Sequence, residues 1–189
     1  MFRLPSKPFK IVFMFAVLLL LVGGFFAMRA PGGSSAYAAS ASKTINMFVT
    51  SYGFNDNSPP SADIAFPKSD GNPTLHNKAT EGKGTYSDPI TFATDQHELK
   101  PGSRVYVPFL EKYFIMEDEC VECDNDWANH KYHIDLWMGP QHSSNANALF
   151  NCEDSITRDS TAVITSPATN LTVDTTPLFS NNKCTAHTH

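Results

Sequence analysis

The stretch "LKPGSRVYVPFLEKYFIMED", from Leu99 to Asp118, decides the fold of this chain. A Lys-Pro-Gly-Ser turn precedes one run of branched and aromatic residues, and a second such run follows and ends on two acids. Pro and Gly favour tight turns, whereas branched and aromatic residues favour strands. The stretch therefore predicts a turn followed by two β-strands.

Segments of the same kind occur on both sides of this stretch. They are "INMFVTSY" from Ile45, "PITFAT" from Pro89, "KYHIDLWM" from Lys131, "TAVITS" from Thr161 and "NLTVD" from Asn170. One helix is predicted over Asn145–Thr157, because Leu149, Cys152 and Ile156 form an apolar face there. Six or seven short strands with one helix indicate an all-β fold, either a small barrel or a sandwich.

The segment Asn55–Gly84 is rich in Pro, Gly, Asn and Ser, which predicts a long irregular loop rather than a domain boundary. Loops of this length are uncommon in compact domains and are often functional. No repeat or long linker divides the rest of the chain. We therefore expect a single domain over residues 44–180, followed by a polar C-terminal tail over residues 181–189.

The N-terminal residues 1–38 have the pattern of an export signal. Arg3, Lys7 and Lys10 precede the apolar run Ile11–Met28, and Ala36 and Ala38 supply the small residues of a cleavage site. An uncleaved anchor is the alternative, since the run is near the minimum length for crossing a bilayer. Either interpretation predicts a secreted, extracellular or cell-wall-associated domain, with membrane contact only if this segment is retained.

The charge balance limits the class of partner. Residues 1–38 carry four cationic residues and no acids, so their removal moves the formal net charge from −5 to −9. An acidic protein of this kind is unsuited to nucleic acid or to an anionic membrane surface. A neutral polymer or a small ligand fits better, and we expect the domain to be a monomer.

Four cysteines remain after export. In an exported chain an even number of cysteines favours disulfides, and Cys120, Cys123, Cys152 and Cys184 allow three pairings that the sequence does not distinguish.

The stretch "MEDECVECDNDW", from Met116 to Trp127, combines a Cys-x-x-Cys pair with six acids. Negative charge disfavours a reactive thiolate, which argues against a dithiol oxidoreductase. Structural zinc on Cys120, Cys123, His130 and His133 is an alternative, but the spacing is short and exported cysteines tend to oxidise. A calcium loop lacks its glycine and its distal glutamate. We therefore expect neither a metal nor another cofactor.

Two of the acids stand apart from the rest. The cluster Glu117, Glu119, Glu122, Asp124 and Asp126 is expected to be solvated surface. Asp118 and Asp135 instead adjoin the strand-like runs "YFIM" and "HIDLWM". Partial burial there would raise the pKa of a carboxyl group, as a general acid requires. A structural hydrogen-bonding role is the rival interpretation for both.

The order "VTSY", "TFATD", "LKPGSRVYVP", "YFIMED" and "HIDLWMG" resembles the 3D domain, which is named for three aspartates. The resemblance covers residues 44–139 and implies a double-psi β-barrel with a following helix. It places the three aspartates at Asp95, Asp118 and Asp135. The same barrel occurs in exported cell-wall proteins, including the lytic transglycosylase A family. More distantly, the chain is similar to rare lipoprotein A-like proteins, expansins and family-45 glycoside hydrolases.

The resemblance implies roles for single residues. Asp135 becomes the candidate acid and base, Asp118 its catalytic neighbour in the cleft, and Tyr52 and Asp95 supporting substrate-binding residues. His133 shares a strand face with Asp135 and is a further candidate for substrate binding. The 3D pattern has a glycine-rich turn after "ED", whereas this chain has "ECVECDNDWANHK". We expect a larger loop there, tied by a disulfide at Cys120 or Cys123. Trp127 on that loop is either a side chain that stacks on a sugar ring or a core or lid tryptophan.

Two functions follow as expectations. The first is a secreted glycan-active enzyme, a glycosidase or lytic transglycosylase that cleaves peptidoglycan or a related polysaccharide through Asp135 and Asp118. The second is a non-catalytic, expansin-like module that binds polysaccharide.

Overall fold

The computed structural model describes residues 41–57, 59–80, 82–139 and 144–189. Within these ranges the chain is mostly β, as predicted, and six strands close into a barrel in the order β1-β5-β2-β4-β3-β6. The strands are β1 (Lys43–Tyr52), β2 (Ile90–Ala93), β3 (Arg104–Val107), β4 (Lys112–Asp118), β5 (His133–Trp137) and β6 (Arg158–Thr165). Large side chains of these strands are fully buried, among them Trp137, Tyr113, Phe92 and Phe114.

The pairing of three neighbouring strands sets up the site. β5 runs parallel to β1, with Thr50 opposite Asp135. β2 lies between β4 and β5, parallel to β4 and antiparallel to β5. Ala93 of β2 is consequently the register partner of both Asp118 and Asp135. This arrangement brings two acids from distant parts of the chain to the same end of the barrel.

The predicted helix is confirmed as α2 (Ala146–Ile156), in which Asn145 caps the N-terminus by accepting a hydrogen bond from the Ala148 N–H. A second helix, α1 (Val121–Ala128), occupies the position where a loop was expected. The prediction of one helix was therefore wrong. Cys120 caps α1 through its sulfur, and Glu122 and Asp124 lie in the first turn, where negative charge favours a helix.

The predicted strand over Asn170–Asp174 was also wrong, because those residues lie outside strands. Their polar backbone is bound by side chains instead: the Leu171 N–H donates to the Tyr113 hydroxyl, and Lys112 Nζ donates to the Asp174 carbonyl. The region expected to be a polar tail contains part of a short two-stranded sheet, β7 (Phe179–Ser180) with β8 (Lys183–Cys184).

None of the described residues of the Asn55–Gly84 segment lies in a strand, as expected for an irregular loop. The segment is nevertheless held firmly by Glu117, whose carboxylate accepts hydrogen bonds from the backbone N–H groups of Leu75 and His76 and contacts His76 Nδ1. Glu117 is fully buried, which corrects the expectation that it belongs to the solvated surface. These hydrogen bonds lower its pKa despite the burial.

All four cysteines are paired, as Cys120–Cys123 and Cys152–Cys184. The second bond joins α2 to β8. The predicted export segment lies outside the described residues. Among those that are described, we found no helix both long enough and apolar enough to cross a bilayer.

Candidate functional site

A cavity of about 570 Å³ opens beside β1, β5 and α1. β1 contributes Phe48, Thr50, Ser51 and Tyr52 to its wall. The region of α1 contributes Cys120, Glu122, Asn125 and Asp126, and Asp56, Lys131, His133 and Asp135 complete the lining. Three of the predicted site residues, namely Tyr52, His133 and Asp135, therefore meet in one hollow.

Asp135 is the predicted acid that faces this cavity. It is half-buried, and its Oδ1 accepts a hydrogen bond of 2.7 Å from the Thr50 hydroxyl. Burial raises the pKa of Asp135 to about 7, against the effect of the Thr50 hydrogen bond, and the negative charge of Asp56 raises it further. Near neutral pH the carboxyl group is therefore present both as an acid that can donate a proton and as a carboxylate that can accept one.

Asp118 lies close to Asp135 but in a different environment. It is 7% exposed, and it is not among the described residues that line the cavity. Its carboxylate accepts hydrogen bonds from the Tyr52 hydroxyl at 2.9 Å and from the backbone N–H groups of Ala65 at 2.8 Å and Glu119 at 2.9 Å. Burial raises its pKa in spite of these donors. The geometry gives Asp118 the structural interpretation that the sequence left open.

His133 connects the Asp135 side of the cavity with α1. Its Nε2 lies 2.8 Å from the Thr50 hydroxyl oxygen. On the other side of the ring, Nδ1 lies 2.9 Å from Asp126 Oδ2, without the alignment of a regular hydrogen bond. The ring packs on Phe48 at 4.4 Å between centroids, and burial lowers the pKa of the imidazole. Thr50 thus contacts both His133 and Asp135.

Two acids near the cavity were missed by the sequence reasoning. Asp56 lines the cavity, and its Oδ2 accepts a 2.7 Å hydrogen bond from the Gly53 N–H. Glu153 of α2 is 6% exposed, and burial, followed by the charge of Asp56, raises its pKa to about 9. A carboxyl group with this pKa is mostly protonated at neutral pH. The position of Glu153 between Cys152 and Ile156 on the apolar face of the helix was a signal that could have identified it.

Gly53 is required where it stands, because α2 approaches the end of β1 closely. A Cβ atom there would lie 2.6 Å from Leu149 Cδ2 and 3.0 Å from Glu153 Oε1. The same Cβ atom would lie 2.9 Å from the Met138 carbonyl oxygen. Because that oxygen belongs to the backbone, it cannot turn away as a side chain can, and a larger residue would require a backbone shift.

Two predicted binding residues lie elsewhere. Trp127 packs against Tyr132, with 5.5 Å between ring centroids, and Asp95 accepts a hydrogen bond from the His97 backbone at the turn after β2. Among the described residues, neither contributes to the cavity wall. The cavity-facing aromatic side chain beside His133 is instead Phe48, and the Lys131 ammonium lies 3.8 Å from its ring centroid.

The donor atoms of Cys120, Cys123 and His133 lie within 4.8 Å of one another, in an arrangement that resembles a metal site. The two sulfurs are joined in a disulfide and therefore do not offer thiolates. His130, the fourth residue of the possible zinc set, is exposed. We assign no metal to this cluster.

Comparison with known proteins identifies one relative and one protein family to which this chain is similar. A Dictyostelium discoideum protein, "Uncharacterized protein DDB_G0273701/DDB_G0273221", is 43% identical over 143 residues, which are 75% of this chain and 60% of the relative. The chain thus matches about three-fifths of the length of that relative. No solved structure matches this chain. The DDB_G0273701 N-terminal domain family matches residues 44–185, which include every strand and helix of the barrel except the first residue of β1. The chain therefore belongs to the DDB_G0273701 N-terminal domain family.

Proposed function

We propose that this protein cleaves or remodels a cell-wall or related polysaccharide, with Asp135 as the general acid and base. The observation that carries the proposal is the position of Asp135 at the cavity wall together with a pKa of about 7. A carboxyl group with this pKa is protonated often enough at neutral pH to donate to a leaving oxygen. An ordinary surface aspartate is almost always ionised at that pH.

The reaction would proceed in two proton transfers. In the first, Asp135 donates its proton to the glycosidic oxygen as the bond between that oxygen and the anomeric carbon breaks. In the second, the Asp135 carboxylate takes a proton from the incoming hydroxyl group as the new bond to the anomeric carbon forms. The hydroxyl group belongs either to water or to the sugar itself. One carboxyl group suffices for both steps, because the second step restores the acid.

Asp118 acts in this proposal as a positioning residue rather than as a second acid. It holds the Tyr52 hydroxyl at 2.9 Å, and Tyr52 lines the cavity. Burial and the charge of Asp118 raise the pKa of Tyr52 well above its ordinary value, so that the phenol remains a donor. Asp56 also lies at the wall, and its charge acts on Asp135; in a hydrolytic reaction it would be the group that activates water.

The fold supports the proposal in part. A closed barrel in which β1 pairs with β5 and β2 with β4 in parallel is compatible with the double-psi arrangement of the 3D domain. Asp118 and Asp135, two of the three aspartates that the resemblance singles out, are both register partners of Ala93. Likeness of fold alone does not confer activity, so the proposal depends on the site.

The charge of the cavity favours neutral or cationic sugars over anionic ones. Asp56, Glu122 and Asp135 line it, and Lys131, a cationic residue at the wall, is already paired with Asp126 at 2.8 Å. An anionic polymer would meet like charge at this surface. The proposed location, outside the cell or in its wall, follows from the export prediction.

A non-catalytic, expansin-like binding module is the second candidate. The observation that favours it is the saturation of Asp118 by three donors, which leaves one member of the predicted catalytic pair facing the cavity. Under this alternative, Asp135 would bind a sugar hydroxyl and transfer no proton.

The test compares the mature wild-type protein with Asp135→Asn on peptidoglycan, chitin and β-glucan. Release of soluble fragments is measured by reducing-end assay and by mass spectrometry, which separates hydrolysed from internally cyclised ends. We expect the variant to lose activity at least about 100-fold, while Asp159→Asn, an exposed aspartate on β6, retains it. Equal release by Asp135→Asn and wild type would exclude Asp135 as the acid. Binding without release by the wild type would favour the second candidate.

A further inference from the structure

The hydroxyl group of Thr50 lies between two titratable side chains. Its oxygen is 2.7 Å from Asp135 Oδ1 and 2.8 Å from His133 Nε2. Strand register produces this contact, because His133 and Asp135 lie on the same face of β5 and pair in parallel with Phe48 and Thr50 of β1. Both distances are those of good hydrogen bonds.

A single hydroxyl hydrogen cannot serve both neighbours. When Asp135 is ionised, the Thr50 hydroxyl donates to the carboxylate, and His133 Nε2 must carry a hydrogen to complete the second bond. When Asp135 is protonated, it can donate to the Thr50 oxygen, and the hydroxyl hydrogen then points to an unprotonated Nε2. The protonation state of one side chain therefore determines the hydrogen-bonding role of the other.

The far side of the imidazole ring strengthens this link. Nδ1 faces Asp126 Oδ2 at 2.9 Å, and although the two are not aligned as a regular hydrogen bond, the negative charge of that carboxylate favours a hydrogen on Nδ1. If Nδ1 keeps its hydrogen, then a hydrogen on Nε2 makes the ring an imidazolium ion. Ionisation of Asp135 is thereby coupled to charging of His133.

We infer that Asp135 and His133 share one proton through the Thr50 hydroxyl, so that His133 becomes cationic when Asp135 is ionised in the one-proton state of the pair. In that state the proton lies either on the Asp135 carboxyl or on His133 Nε2. Its transfer breaks the carboxyl O–H bond and forms the Nε2–H bond, with the Thr50 hydroxyl reversing its direction. No other reactant is consumed, and the total charge of the pair remains zero.

Burial favours the form of the pair in which the proton lies on Asp135. Burial raises the pKa of Asp135 and lowers that of His133, which favours the neutral form of each. Several other groups bias the position of the proton. Asp135 is close to the charges of Asp56, Glu122 and Asp118, and its own charge raises the pKa of Glu153. His133 is close to the charges of Asp126, Lys131 and Glu122, and its backbone N–H donates a hydrogen bond to Glu98.

The consequence for the site is that a proton can reach Asp135 over a wider range of pH than an isolated carboxyl group would allow. Interacting groups titrate in two macroscopic steps that belong to the pair. Between the two steps one proton is always available to Asp135. This consequence rests on the proposed function, whereas the proton sharing itself does not.

The experiment follows the ring nitrogens of His133 by ¹⁵N NMR from pH 4 to 9 in the full mature chain. In wild type we expect the Nε2 shift to respond to the ionisation of Asp135, which is observed separately by its carboxyl ¹³C shift. Thr50→Ser keeps the hydroxyl and should keep this response. Thr50→Val is nearly isosteric without the hydroxyl and should abolish the response at Nε2. It should also raise the pKa of Asp135 by about one unit or more, because the variant removes a hydrogen bond to the carboxylate.

Asp135→Asn supplies the second arm, because its amide cannot ionise. His133 should then titrate in one step, both in the single variant and in the double variant that also carries Thr50→Val. A Nε2 response that is the same in wild type and Thr50→Val would overturn the inference, as would a His133 ring that ignores the ionisation of Asp135 in wild type. These readouts need no substrate, so failure of the glycan-cleavage proposal and failure of proton sharing are separate results.

Discussion

Asp118 and Asp135 are register partners of the same residue, Ala93, on opposite sides of β2, yet only Asp135 faces the cavity. The two aspartates differ in exposure because of the loops around them rather than because of the barrel strands. The Asn55–Gly84 segment brings the Ala65 N–H to Asp118, whereas Asp135 accepts its hydrogen bond from the Thr50 hydroxyl. Two acids in similar strand positions thus differ in solvation and in the chemistry open to them.

Asp118→Asn should destabilise the fold by about 2–3 kcal/mol, because the amide presents a donor to a site built from three donors. Tyr52→Phe removes one of those hydrogen bonds and should cost less, about 1–2 kcal/mol. Urea unfolding at pH 7 measures both. An Asp118→Asn protein as stable as wild type, but inactive towards glycans, would return Asp118 to a catalytic role.

Glu153→Gln should stabilise the protein at alkaline pH. The pKa of Glu153 in the folded state lies above its ordinary value, so the folded state holds this proton more tightly than the unfolded state. Its contribution to stability is present at low pH and is lost as pH rises through about 9. The glutamine variant should therefore be more stable than wild type at pH 9, by at least about 1 kcal/mol, and similar to it at pH 5.

Asp159→Asn, at an exposed aspartate on β6, is the control for this prediction and should leave the pH profile unchanged. Thermal unfolding at intervals of one pH unit gives the comparison. Parallel profiles for wild type and Glu153→Gln would contradict the protonated state assigned to Glu153.

Phe48→Ala should weaken binding to insoluble polysaccharide about 3- to 10-fold, the range expected for loss of one aromatic contact. Trp127→Ala should change binding less than about twofold, since Trp127 packs on Tyr132 and lies away from the cavity wall. Pull-down isotherms for the two variants, with circular dichroism to verify folding, decide between them. The opposite order would place the sugar on α1 rather than in the cavity.

The two disulfides should contribute unequally to stability. Cys152–Cys184 spans 32 residues, and its replacement by serines should cost about 4 kcal/mol in the chain-entropy estimate. Cys120–Cys123 spans only 3 residues and should contribute about 2 kcal/mol. Denaturant midpoints of the two double serine variants test this order. Equal losses of stability in the two variants would show that the Cys120–Cys123 disulfide stabilises more of the α1 region than the short loop that it closes.

Much of the barrel was predictable, because its strands combine branched and aromatic residues with clear turn signals. The residues "KYFIMED" became β4 and "KYHIDLWM" contained β5. The helix α1 was not predictable from its weak apolar pattern, since its acids suggested a solvated loop. Capping by the Cys120 sulfur and packing of the buried Cys123 against the barrel outweigh that pattern.

The site was predictable where it depends on strands and unpredictable where it depends on loops. His133 and Asp135 lie two residues apart in β5, so the sequence alone could place both on the same face of that strand. Thr50 becomes their neighbour only through the parallel register of β1 and β5, which involves residues 85 positions apart. Asp56 reaches the cavity from an irregular segment, for which no periodic pattern exists.

Glu117 and Asp118 are adjacent at the end of β4, where the pairing with β2 is irregular. Glu117 holds the Asn55–Gly84 segment at Leu75 and His76, and Asp118 holds it at Ala65. Length changes within that segment are therefore accommodated only between these anchoring points or outside them. Homologous chains whose length differs in that segment should therefore differ at the rim of the cavity. The aspartate at the position of Asp135 should keep its register in β5.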